Sequence, residues 1–141
     1  PPGLGEPIYD KLNARLAYAL MSIGAIRGVE FGAGFAAAGM LGSQHNDKFY
    51  LDGDRVRTRT NNAGGILGGI STGEDIVVRA AVKPASSIAQ KQQTVSKDGK
   101  AATIEVKGRH DPCICPRVVP VVEAMIAIVL VDAVMLQKAI K

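Results

Sequence analysis

Three groups of complementary chemistry stand side by side at Arg109, His110 and Asp111, within Gly108-Arg109-His110-Asp111-Pro112-Cys113. A guanidinium holds an anion, an imidazole holds or moves a proton, and a carboxylate serves as acid or base. The apolar run that follows predicts a long helix opening at Pro120 and reaching about Ile140, so the cluster lies at a helix mouth. Two further stretches have the composition to face a ligand. Lys83-Pro84-Ala85-Ser86-Ser87 leaves a strand with an ammonium, two hydroxyls and free backbone N–H groups, the makings of an anion cradle. The loop over 61–73 carries the doublets Gly64-Gly65 and Gly68-Gly69, where backbone approaches a ligand closely because no Cβ intervenes. It has neither the Gly-Lys-Ser/Thr ending of a P-loop nor the acidic residue of a dinucleotide fingerprint. Taken alone, it is open between a wide turn and a ligand loop.

His110, Cys113 and Cys115 have the spacing H-x-x-C-x-C, but a structural zinc site takes four ligands and the other histidine is the distant His45. No metal site is expected. A bridge between Cys113 and Cys115 would close a strained, tiny loop, so reduced thiols packed at the helix start of a cytosolic protein are expected.

The elements that must position these groups follow from periodicity. Leu12, Leu16, Ala19, Leu20 and Ile23 form one apolar stripe, predicting a helix from Pro7 to Gly24. A short strand is expected over 28–32 and a small Ala-rich helix or turn over 35–41. A hairpin is expected from 49–51 to 56–60 about an Asp-Gly turn. Strands are expected over 76–82 and 103–107, with a polar stretch and a turn at Lys97-Asp98-Gly99 between them. The C-terminal helix is apolar over most of its circumference, which predicts burial between layers. The fold class expected is α+β, one domain over 1–141, with antiparallel strands on central helices.

The chain has 141 residues, 47% hydrophobic and 21% charged, a balance that suits a folded globular domain. Aromatics make up only 4% and there is no Trp, so the core must be aliphatic. A net charge of +4 from scattered basic residues, without interleaved aromatics, argues against nucleic acid. The apolar run over 124–131 is far short of the ~18 residues of a membrane span, and Glu123 and Asp132 flank it, so no membrane helix is expected. The opening Pro1-Pro2-Gly3, with no initiator Met, has the look of a start inside a larger polypeptide.

Arg109-His110-Asp111-Pro112-Cys113, with Val118, Pro120, Val121, Glu123, Ala124 and Met125, resembles the C-terminal signature of the chorismate synthase family. Gly3-Leu4-Gly5-Glu6-Pro7 with Asp10-Lys11-Leu12, then Ala19-Leu20-Met21-Ser22-Ile23, resemble the family in the same order. So do Gly64-Gly65-Ile66-Leu67-Gly68-Gly69-Ile70-Ser71 and Lys83-Pro84-Ala85-Ser86-Ser87. The resemblance covers essentially the whole chain, but only the C-terminal part of a full-length member. It implies an FMN-dependent lyase of the shikimate pathway and aromatic amino acid biosynthesis. Such a lyase converts 5-enolpyruvylshikimate-3-phosphate to chorismate by anti-1,4-elimination of phosphate, using reduced FMN. It also implies a cytoplasmic homotetramer of three-layer β/α/β sandwiches.

Residue by residue, the resemblance matches Gly24 and Ala25 with a flavin contact after the first helix, and Gly68 with a glycine facing the flavin. Lys83, Pro84, Ala85, Ser86 and Ser87 match the FMN loop at a strand exit. Arg109 matches the arginine at the flavin–substrate junction, and Asp111 the aspartate thought to exchange a proton with flavin N5. Gly24 replaces a larger residue, and Ala85 stands where many members have Thr. The family's two acid–base histidines and a further Arg/Ser flavin loop belong to the N-terminal part, and His45 and His110 do not match them. The chain alone is therefore expected to be inactive. The competing expectation is a non-catalytic domain that keeps the fold for oligomerisation or partial ligand binding.

Overall fold

A computed structural model describes residues 1–140. Helix α1 (Leu12–Met21) buries Leu12, Leu16, Ala19 and Leu20 along one face. It starts later than Pro7 because the approach is turned at Gly5 (φ 102°) and Tyr9 (φ 60°), conformations no helix contains. The Leu12 amide then donates to the Gly69 carbonyl at 2.8 Å. Strand β1 (Ile26–Phe31) follows, then a 3-10 turn (Gly34–Gly39), where the Ala-rich segment was expected. Next come the one-turn helix α2 (Gly42–His45) and the hairpin β2 (Phe49–Asp52) to β3 (Arg55–Thr58) about Gly53.

Within the glycine-rich loop lies a second, miniature hairpin, β4 (Ile66–Leu67) to β5 (Ile70–Ser71). Gly68 and Gly69 form its two-residue turn with φ 62° and 92°, a conformation that L side chains resist. β6 (Val78–Val82) pairs antiparallel with β1, with an irregularity between Ile26 and Gly28. β7 (Gln92–Val95) and β8 (Ala101–Ile104) close a further hairpin around Lys97-Asp98-Gly99. The strand expected over 103–107 thus sits earlier. Its partner β7 is too polar to announce itself by alternation.

The antiparallel α+β class is as expected, but the strands form four two-stranded ribbons rather than broad sheets. Helix α3 runs Cys115–Ile140, beginning before Pro120, which lies inside its second turn. Pro116 occupies the first turn instead, where helix amides have no acceptor and a missing N–H costs nothing.

The core joins Leu4, Leu12, Leu16, Ala19 and Ile66 to Val129 and Ala133 of α3, with Met125, Ile126, Leu130 and Val134 packed around it. Arg15 and Asp132 form an ion pair across the two helices. The expected burial of α3 is not seen. Among the described residues of α3 only Val129 and Ala133 are buried, while Ile128, Val131, Met135 and Leu136 are exposed, because the described residues place no third layer over that face. By length and composition α3 is apolar enough to cross a membrane, with mean hydropathy 2.4 over an 18-residue stretch. The shorter run over 124–131 understated this.

Candidate functional site

Two separate backbone junctions build a cleft at the C-terminal end of α1. The chain leaves α1 through Ser22 and Ile23, and Ala25 takes a left-handed conformation (φ 74°) that swings it into β1. Across the ribbon, β6 runs out into residues 83–87, and the Lys83 amide donates to the Ala25 carbonyl at 2.8 Å. Residues 110–114 then cross this junction on the way into α3. The resulting cleft, about 260 Å³, is lined by Ala25, Lys83 to Ser87, His110, Asp111 and Ile114.

Its lining is polar, with one ammonium and one carboxylate. Lys83 is half-buried, and its ammonium donates to Ser86 Oγ at 3.3 Å at an exposed position. Ile114 immediately precedes α3, so the positive end of that helix dipole opens onto the cleft and favours negative charge there. Asp111 presents a carboxylate whose Oδ2 is paired with Arg117 Nη1 at 2.9 Å. His110 folds back over Gly108: a Cβ on that glycine would lie 3.3 Å from Nε2.

Six of the residues singled out in the sequence, Ala25, Lys83, Pro84, Ala85, Ser86 and Ser87, thus meet Asp111. Gly24 is their neighbour and has open space beside it. Arg109 is exposed and is not part of the lining. Gly68 is elsewhere. Its turn adjoins the start of α1, and ten helical residues, about 15 Å, separate that end from Ala25.

The glycine-rich loop is largely scaffold. A Cβ on Gly5 would meet the Gly69 carbonyl at 2.6 Å, and one on Gly69 would meet the Glu6 carbonyl at 2.6 Å, so these glycines permit two backbones to touch. The asparagines are committed as well. Asn61 accepts from the Gly65 amide at 2.7 Å, and Asn62 donates to the Gln44 and His45 carbonyls.

One residue escaped the sequence reading, and another singled out there also meets the cleft. Arg117 reaches Asp111 from the first turn of α3, and His110 lines the cleft. The available signal for Arg117 was an unpaired cation one helical turn beyond the Asp-Pro step. Cys113 and Cys115 are free and exposed, not packed as expected, because the helix start projects from the core. Burial and a shared hydrogen bond therefore matter only locally, the bond to Cys113 holding the Cys115 thiol above its ordinary range. Among the described residues no group of three or more His, Cys, Asp or Glu is placed to hold a metal.

Comparison with known proteins places this cleft in context. The family model for chorismate synthase matches residues 1–135. A chorismate synthase of Archaeoglobus fulgidus is 62% identical over 138 residues, covering 97% of this chain and 38% of the relative. One from Methylacidiphilum infernorum is 56% identical over 141 residues, covering 100% of this chain and again 38% of the relative. A crystal structure of a chorismate synthase has a TM-score of 0.77 at 38% identity, over 97% of this chain and 34% of that one. The chain therefore spans 38% of the length of these curated relatives.

Proposed function

The chain belongs to the chorismate synthase family, and we propose that it is the C-terminal part of an FMN-dependent lyase. Its reaction is the anti-1,4-elimination of phosphate from 5-enolpyruvylshikimate-3-phosphate, giving chorismate. The observation that carries this reading is the meeting of Ala25, Lys83 to Ser87 and Asp111 in one cleft from three distant stretches of sequence. The donor set suits FMN. An ammonium and two hydroxyls match its polar edge, Ala25 and Ala85 leave room for a flat ring, and the start of α3 favours negative charge. The volume, about 260 Å³, falls just below the ~300–1,000 Å³ of ordinary ligand sites. The chain supplies one wall.

When bound, reduced FMN supplies the electron-rich ring on which this redox-neutral elimination depends. Lys83, Ser86 and Ser87 bind and orient, and Asp111 holds or moves a proton at its carboxylate. Arg109, exposed and two residues before Asp111, offsets negative charge contributed by substrate. The position of Gly68 argues against its sharing this cleft within a single chain.

The open face of α3, bordered by an apolar cleft of about 420 Å³ along Leu130, Val131, Val134 and Met135, is read as the seat of the N-terminal part rather than of lipid. Covering it there would complete the three-layer sandwich. A homotetramer in the cytoplasm belongs to the same reading. The decisive test is the full-length enzyme that contains this chain, assayed for chorismate with reduced FMN under anaerobic conditions. No turnover by the full-length enzyme would end the proposal.

A further inference from the structure

We infer that Arg117 is a positioning residue for Asp111, fixing its carboxylate at the cleft. The inference rests on the cleft being the site proposed above. Asp111 Oδ2 lies 2.9 Å from Arg117 Nη1, and Oδ1 has no partner among the described residues. One oxygen is therefore held while the other is left for proton traffic. The return of the chain that makes this possible is itself bonded: the amides of Arg117 and Val118 both donate to the Ile114 carbonyl at 3.0 Å.

Helix energetics give no reason for a cation here. Arg117 is in the first turn of α3, where the positive end of the helix dipole opposes it and no acidic residue in that turn offsets it. Asp111 is the compensating charge, and it lies outside the helix and in the cleft lining. Arg109, the arginine nearest Asp111 in sequence, forms no ion pair among the described residues. The cation that touches Asp111 is the one six residues on. With side chains 79% and 37% exposed, the pair adds little to folding. Its effect is on the carboxylate's freedom, since pairing Oδ2 with Arg117 narrows the rotamers open to Asp111 in the cleft lining.

The test uses the full-length holoenzyme and four variants in the present numbering: Arg117→Gln, Arg117→Lys, Asp111→Asn and the double Asp111→Asn/Arg117→Gln. Asp111→Asn is expected to lower kcat about 100-fold, the scale of a lost proton-transfer group. Arg117→Gln should lower kcat about tenfold, with KM unchanged. FMN affinity, measured by flavin fluorescence without substrate, should also be unchanged by Arg117→Gln. Arg117→Lys should recover part of the loss, and the double variant should be no slower than Asp111→Asn alone. Wild-type kcat in Arg117→Gln beside a slow Asp111→Asn would overturn the inference and leave the site intact. Loss of FMN binding in Arg117→Gln would also overturn it, making Arg117 a cofactor ligand. Normal turnover by Asp111→Asn would remove both Asp111 and its positioning residue from the mechanism.

Discussion

The Lys83 amide donates to the Ala25 carbonyl at 2.8 Å, and this bond fixes the strand exit over the end of α1. It extends the β1–β6 ladder just past the Ile26–Val82 pair. Ala25 meets it only by adopting φ 74°, a left-handed conformation that costs an L residue roughly 1–2 kcal/mol. The neighbouring Gly24, the residue suited to such a conformation, does not adopt it.

Ala25→Gly should accordingly stabilise the fold by about 0.5–1 kcal/mol, part of the relief being offset by glycine's freedom in the unfolded chain. Ala25→Val should do the reverse. Urea denaturation midpoints of the two variants measure this directly. Equal midpoints would mean that the left-handed turn is not strained.

Asp47 governs the entrance to the glycine-rich loop. Its carboxylate accepts from Thr60 Oγ1 at 2.6 Å and from the Asn62 and Ala63 amides at 2.8 Å each. Burial alone would raise its pKa, but the Thr60 hydroxyl, those amides and the nearby His45 outweigh it, and the carboxyl titrates below its ordinary range. Glu74 is also lowered, first by its hydrogen bonds from Arg57 and then by the Thr58 amide. A depressed carboxylate stabilises the fold above its unfolded pKa, about 4, and that contribution disappears as pH falls through the folded value. Acidification below about pH 4 should therefore free the amides of Thr58, Asn62 and Ala63 to exchange before those of α1. Asp47→Ala should cost about 1–3 kcal/mol at neutral pH and flatten the acid response. Hydrogen exchange that begins in α1 instead would contradict this order.

Lys83→Ala in the full-length enzyme removes the cleft's ammonium. FMN affinity should fall about tenfold to a hundredfold, the range of a charge-assisted hydrogen bond of about 1.5–3 kcal/mol. Lys83→Arg should restore much of it. Fluorescence titration separates these outcomes, and wild-type affinity in Lys83→Ala would exclude Lys83 from the cofactor's contacts.

The isolated 141-residue chain should form no chorismate with reduced FMN and should self-associate through α3, where Ile128, Val131 and Met135 are exposed. Ile128→Glu with Met135→Lys should make it more monomeric in sedimentation velocity without restoring activity. Turnover by the isolated chain would show that the missing wall is dispensable.

The sequence by itself determined the main helices, the hairpin about Gly53 and the chemistry-bearing segments, though not the polar strand β7 or the miniature hairpin in the glycine-rich loop. The stripe Leu12, Leu16, Ala19 and Leu20 can bury only as a helix, and Asp52-Gly53-Asp54 can only turn a hairpin. Motif strings such as 109–113 and 83–87 were legible because their residue types are local. Tertiary structure decided what those strings share. No spacing reveals that Lys83 bonds to Ala25, that Arg117 rather than Arg109 reaches Asp111, or that Gly68 is at the far end of α1. Those relations depend on the antiparallel register of β1 and β6 and on the packing of α3 against α1, which are long-range balances of burial and hydrogen bonding. The same balance explains α3 itself. Its residues marked it as a core helix, but burial requires a partner surface, and 1–140 provide one along only a single stripe.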